Sequence, residues 1–238
     1  MFNASPPGYQ PTTTQPGPTP QNGGWMNFPQ QIPNCPTGLE SLTMVDQLLV
    51  QKIYVEELHR DGFLINNSSG QKVYYVEEDS DGSLLQGLRP FDMKIFDKYI
   101  NEAIHLYRPL ACQGCFFPCC MQSIEVLSSP GIVAGRVDEE WSILLPKYAV
   151  KNASGETVLR IEGPFRKNLC CGSVKFKIMS ADGRVQGKIS WYELGSRNDA
   201  DFVITFPMDL DVSMKAVLLG ASFLIVTIIY ILVGVYFY

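Results

Sequence analysis

The sequence predicts a mainly β protein, an antiparallel meander that closes into a barrel or packs as a sandwich, followed by an apolar C-terminal helix. Three observations carry this. Short runs of β-formers recur with turn residues between them at regular intervals. In one run Val174, Phe176 and Ile178 alternate with Lys175 and Lys177, the period-2 pattern of a strand with one wet face. From Ala216 to Tyr238 the chain carries no charge. As a helix that stretch reaches about 34 Å, enough to cross a ~30 Å hydrocarbon core.

Residues 1–39 hold nine of the sixteen prolines, with much Gln, Thr and Gly and no charged residue. So few packable side chains cannot offset the ordering entropy, so a disordered or polyproline-like tail is expected over 1–38. Pro6-Pro7-Gly8-Tyr9 within it has the Pro-Pro-x-Tyr spacing that WW-type aromatic grooves accept, and a chance match in a Pro-rich segment is the other reading. Leu39, Leu42, Val45, Leu48 and Leu49 predict a short amphipathic helix after Gly38. A domain over 39–215 then reads as hairpins. Phe63–Ile65 and Val73–Val76 flank a turn at 66–70. Tyr148–Val150 and Val158–Ile161 flank 152–155, and Val174–Ile178 and Val185–Trp191 flank 181–183. The stretches 91–107 and 122–137 fit the same pattern, with turns near Asn101 and at Ser129-Pro130-Gly131. The helix over 216–238 either meets lipid or fills the barrel, because burial all round gives the same composition. Tyr230, Tyr236, Phe237 and Tyr238 suit a membrane interface. Ala216 and Gly220 have the small-x-x-x-small spacing that lets helices pack into a homo-oligomer or sit close inside a barrel.

The net charge of −5 gives no attraction to nucleic acid. No apolar run follows Met1, so no signal peptide and a cytosolic main body are expected. Seven cysteines, an odd number, fit a reducing compartment.

His59 and His105 are the two histidines, and neither lies in a catalytic arrangement; phosphate loops and nucleophile elbows do not occur. Enzymatic chemistry therefore has little support. Asp199, Asp201, Asp209 and Asp211 are the metal candidates, since Ca2+ takes six to eight oxygen ligands and clustered carboxylates supply them. An extended strand through Phe202, Ile204 and Phe206 would separate Asp201 from Asp209 by roughly 26 Å unless the chain turns back at Pro207. Solvated acids flanking a strand are the alternative. Cys112, Cys115, Cys119 and Cys120 surround Phe116-Phe117-Pro118. S-acylation near a bilayer, a zinc site and ordinary thiols compete there, adjacent cysteines being poor chelators of one ion.

Longer motifs sharpen this reading. They include Cys35-Pro36-Thr37-Gly38-Leu39-Glu40, Arg108-Pro109-Leu110-Ala111-Cys112 and Pro118-Cys119-Cys120-Met121-Gln122-Ser123-Ile124-Glu125-Val126. The most specific is Phe206-Pro207-Met208-Asp209-Leu210-Asp211-Val212-Ser213-Met214-Lys215-Ala216. With these, the chain from about Asn34 to Ile225 resembles the phospholipid scramblases. The resemblance implies a tubby-like fold, a twelve-stranded antiparallel barrel threaded by the C-terminal helix. It implies calcium-dependent, ATP-independent movement of phospholipids between leaflets at a membrane, the plasma membrane above all. Calcium would lie at Asp199–Asp211, palmitate on the Cys112–Cys120 run, and SH3 or WW partners on the proline-rich tail. Phe116-Phe117 stands where the family has further thiols. Val226 replaces a common Asp, and the uninterrupted apolar run favours a true membrane span.

Overall fold

Buried and exposed side chains alternate along the described strands, as in Val174–Ser180, where Val174, Phe176 and Ile178 are buried and Lys175 and Lys177 are exposed. The structure, a computed structural model, describes residues 24–29, 32–55, 60–78, 91–109, 121–165, 173–192 and 202–233. The first strands are β1 (Gln47–Val55), β2 (Arg60–Asn67), β3 (Lys72–Glu78), β4 (Phe91–Phe96), β5 (Glu102–Arg108) and β6 (Ser123–Ser128). They continue as β7 (Ile132–Glu140), β8 (Lys147–Asn152), β9 (Thr157–Glu162), β10 (Val174–Ser180), β11 (Val185–Trp191) and β12 (Phe202–Thr205). Each pairs antiparallel with its sequence neighbours, and β1 closes on β12 with Gln47 opposite Thr205 and Val50 opposite Phe202. The result is a closed twelve-stranded meander barrel. All five hairpins read from the sequence are present, as β2–β3, β4–β5, β6–β7, β8–β9 and β10–β11.

Helix α1 (Val212–Val233) runs through the barrel. Every residue from Met214 to Ile229 is buried. The helix packs on β6, β7, β8 and β12, and the Phe223 ring meets Phe63 and Phe202 edge-on, each 5.3 Å away. Two glycines permit the close fit. A Cβ on Gly220 would stand 2.6 Å from Val126 Cγ2, and one on Gly135 of β7 would stand 2.8 Å from Val217 Cγ2 and 2.2 Å from the Lys151 carbonyl oxygen. Gly220 therefore serves the approach of helix to wall. Length and composition suit α1 to crossing a membrane, and the structure encloses 89% of its apolar window in protein. Met214 to Ile229 are enclosed by the barrel in this structure, and α1 is by length and composition also able to cross a membrane.

One expectation changes. The predicted amphipathic helix is a single 3-10 turn, Glu40–Met44, and Leu48 already belongs to β1. Leu39 and Leu42 are buried at that turn, while Leu48 and Val50 point inward with strand period. Packing against the barrel decided the period there. Within the charge-free N-terminal stretch the described residues around Trp25 and Met26 lie against the barrel. Met26 is buried, its N–H donating to the Lys72 carbonyl at 2.8 Å, and Trp25 bridges to the same residue.

The barrel has two ends. Helix α1 begins at the near end, with β12 leading into it, and passes Phe63 and Phe202 toward the far end, where β1, β3, β5, β7, β9 and β11 finish. Truncating Phe223 to Ala is expected to destabilise the fold by about 3–5 kcal/mol through transfer and cavity terms, measured as a lowered denaturant midpoint with an unchanged slope.

Candidate functional site

The near end carries the two metal candidates that fall within the described residues. Phe206, just past β12, donates its N–H to the Asp46 carbonyl at 2.9 Å, and Leu210 N–H reaches the Pro207 carbonyl at 3.2 Å. This tight loop presents Asp209 and Asp211 to solvent. Asp211 also has a structural task. Its Oδ1 accepts from Ser213 N–H at 2.9 Å and Met214 N–H at 3.2 Å, the N-cap of α1. Asp199 and Asp201 lie outside the described residues, in the segment that precedes β12. Among the described residues no three His, Cys, Asp or Glu side chains are grouped to hold a metal ion.

One turn into the helix, Lys215 is fully buried. Its Nζ donates to the carbonyls of Met208 at 2.7 Å and of Leu42 and Val45 at 2.9 Å each. The ammonium also lies 5.3 Å from the centroid of the Phe206 ring. All three donors are used, which is what makes a buried ammonium tolerable. Burial lowers its pKa below the ordinary lysine value, while the carboxylates of Asp46, Asp209 and Asp211 act in the opposite sense. The exposed acids are thus electrostatically coupled to the charge that pins the helix. Beside this end an open cavity is lined by Phe28, Glu40, Asp97, Tyr99 and Glu102. Glu40 there accepts from Gly38 N–H at 2.8 Å, and Asp97 closes its own turn through the N–H groups of Tyr99 and Asn101.

The cysteine run Cys112, Cys115, Cys119 and Cys120 lies outside the described residues, between the end of β5 and the start of β6. Its two flanks are tied together. Buried Arg108, the last residue of β5, donates from Nη2 to Gln122 Oε1 at 2.6 Å. Gln122 N–H in turn donates to Glu139 Oε2 at 3.1 Å. Burial lowers the Arg108 pKa from its ordinary value. Sequence reasoning did not single out this network, nor the Tyr74 hydroxyl that accepts from Ser41 and donates to the Gly38 carbonyl, both at 2.7 Å. Pro6, Pro7 and Tyr9 also lie outside the described residues.

A closed twelve-stranded antiparallel barrel threaded by its own C-terminal helix is the tubby-like architecture that the resemblance implies. The family profile described as Scramblase matches residues 26–230, and the chain belongs to that family. It is 43% identical over 232 residues to phospholipid scramblase 2 of Bos taurus, covering 91% of this chain and 79% of that one. To phospholipid scramblase 1 of Homo sapiens it is 44% identical over 216 residues, covering 84% and 68%. An X-ray structure of a protein from Arabidopsis thaliana aligns over 78% of this chain and 96% of its own, with 10% identity and a TM-score of 0.44.

Replacing Asp211 by Ala is expected to cost about 1 kcal/mol and by Asn close to nothing, since Asn caps as well as Asp; urea midpoints of the two variants check this. Lys215→Met is expected to cost about 2 kcal/mol net, because three carbonyls lose their donor while a buried charge is relieved. Folding disfavours the charged Lys215, so between its lowered value and 10.5 the unfolded chain binds more protons. Stability should therefore gain a Lys215-dependent increment as pH rises through that window, and the increment should vanish in Lys215→Met.

Proposed function

We propose that this chain moves phospholipids in both directions between membrane leaflets, without ATP and under the control of calcium. The observation that carries the reading is the family match over 26–230, with relatives named phospholipid scramblases 43–44% identical across most of the chain. Unaided passage is slow because a headgroup loses its hydration in hydrocarbon. A protein that thins or disorders the bilayer lowers that barrier, and downhill movement then needs no energy source or covalent step. The hydroxyls of α1 are not the polar path: Ser222 donates to the Leu219 carbonyl at 2.6 Å and Thr227 to the Phe223 carbonyl at 2.8 Å, both inside the barrel. Lipid is therefore handled at the outside of the barrel.

Calcium acts at Asp209 and Asp211; Asp199 and Asp201 precede the opposite end of β12, so one ion does not join the two pairs. The ion competes with the N-cap and weakens the carboxylate field at Lys215, which loosens the start of α1. Acyl chains on Cys112, Cys115, Cys119 and Cys120 hold the far end at the cytosolic face of the plasma membrane, two anchors making attachment durable. The tail recruits WW or SH3 partners through Pro6, Pro7 and Tyr9. A second reading, a membrane-tethered adaptor that moves no lipid, is favoured by the enclosure of α1, which leaves no groove across the bilayer.

The test is reconstitution into vesicles with fluorescent phospholipid in both leaflets and an impermeant quencher outside. Calcium should increase the loss of the protected inner pool. Asp209→Asn with Asp211→Asn, which keeps the helix cap, should raise the calcium needed for half-maximal loss about tenfold, ~1.4 kcal/mol of binding. No loss above empty vesicles, with folded protein bound to them, selects the adaptor.

A further inference from the structure

Two connections at the far end of the barrel carry exposed apolar side chains. Between β7 and β8, Trp141-Ser142-Ile143-Leu144-Leu145-Pro146 leaves Trp141, Ile143 and Leu144 exposed at 49%, 64% and 63%. After β9, Gly163-Pro164-Phe165 leaves Phe165 exposed at 51%. The two are built as one platform. Gly163 N–H donates to the Pro146 carbonyl at 2.9 Å, and a Cβ on Gly163 would stand 2.5 Å from both Pro146 Cγ and the Phe176 ring. Below it the charges are paired, Lys147 with Glu162 at 2.8 Å and Arg160 with Glu140 at 2.5 Å. Apolar side chains thus stand in water beside two paired charges. Single exposed apolar residues need no explanation, but a joined set of an indole, a phenyl ring and two aliphatics marks an interaction surface.

We infer that this rim docks the barrel on a lipid bilayer, with Trp141 at the headgroup level and Ile143, Leu144 and Phe165 in the acyl boundary. Indole rings prefer that level, being apolar in body with a polar N–H. Three features of the chain meet at the same end and select lipid as the occupant. Helix α1 runs toward that end, and the sequence from Tyr230 to Tyr238 is uncharged. The connection that holds Cys112 to Cys120 starts at the end of β5 and finishes at the start of β6, at that same end. Phe165 is followed in sequence by Arg166 and Lys167, whose charge complements anionic headgroups. The inference rests on the lipid-handling reading only in its choice of a bilayer as partner.

The test uses the full chain and phosphatidylcholine vesicles containing phosphatidylserine, with bromine on the acyl chains as a short-range quencher of tryptophan. Wild-type emission should be quenched on binding, and Trp141→Phe should lose most of that quenching. I143D with L144D should weaken vesicle binding about tenfold or more, each side chain losing most of its transfer free energy into lipid. Both side chains are already in water, so the unfolding midpoint should not move. Quenching that is the same in wild type and Trp141→Phe overturns the inference, and so does full binding by the Asp variant. If the Asp variant instead changes only the oligomeric state, the rim joins copies of the chain and the inference falls. Intact quenching without any lipid movement overturns the proposed function and leaves the docking surface standing.

Discussion

A closed sheet of twelve strands encloses more space than its own inward side chains can fill, since about eight strands already bring the walls to contact. Helix α1 occupies the difference. It is wrapped by wall on all sides, so it has no polar face and needs none, and its sequence is apolar all round for that reason. The same fact limits how the molecule can meet lipid. Drawing the helix into a bilayer would empty the barrel of Phe223 and its neighbours and leave the inward faces of the strands without partners. In this arrangement the surface open to a membrane is the outside of the barrel.

A greasy helix in a greasy tube lacks directional contacts to fix its register, and a slip by one residue would turn it by about 100°. Lys215 supplies the direction. Its ammonium is held by three backbone carbonyls from two separate segments, the turn at Leu42 to Val45 and the loop at Met208. Asp211 fixes the first turn by capping it. Farther along, Gly220 faces Val126 and Leu106 where no other residue would fit, and Phe223 slots edge-on between Phe63 and Phe202. Polar groups set the register at one end and shape keeps it along the rest.

The hairpins were legible because each is local: period-2 alternation and a turn-forming tripeptide lie within some fifteen residues of one another. Closure of β1 on β12 was not legible from the residues, since the partners Val50 and Phe202 are far apart in sequence. The turn at 39–49 was misread for a related reason. Leu39, Leu42 and Val45 face the core across a 3-10 turn and a bend, and the apparent helical spacing joins them to Leu48 of a strand. The place of α1 was undecidable from composition because protein and lipid bury apolar side chains alike. Among the site residues, Asp211 had a cap position open to inspection, with Ser213 and Met214 following. The acceptors of Lys215 are backbone carbonyls, which leave no mark in a sequence, and the Arg108–Gln122–Glu139 chain links β5, the residue before β6, and β7 with no fixed spacing.

The molecule is polarised along α1. Asp209, Asp211 and the pinned ammonium stand at its start, and the exposed apolar side chains of Trp141, Ile143, Leu144 and Phe165 stand at the end toward which it runs, with the 22-residue helix spanning about 33 Å. A cation arriving at Asp209 or Asp211 is several Debye lengths from the far rim at physiological salt, so it cannot act there by its field. Any influence has to pass through the packing of α1 against the wall. The structure offers a direct route: the carboxylates bias Lys215, Lys215 fixes the first turn, and a close-packed helix transmits a shift of its start along its axis because its neighbours leave it no slack. Calcium control and lipid contact at opposite ends are thus compatible only if the helix responds as a unit, and the close contacts at Gly135, Gly220 and Phe223 are what would make it do so.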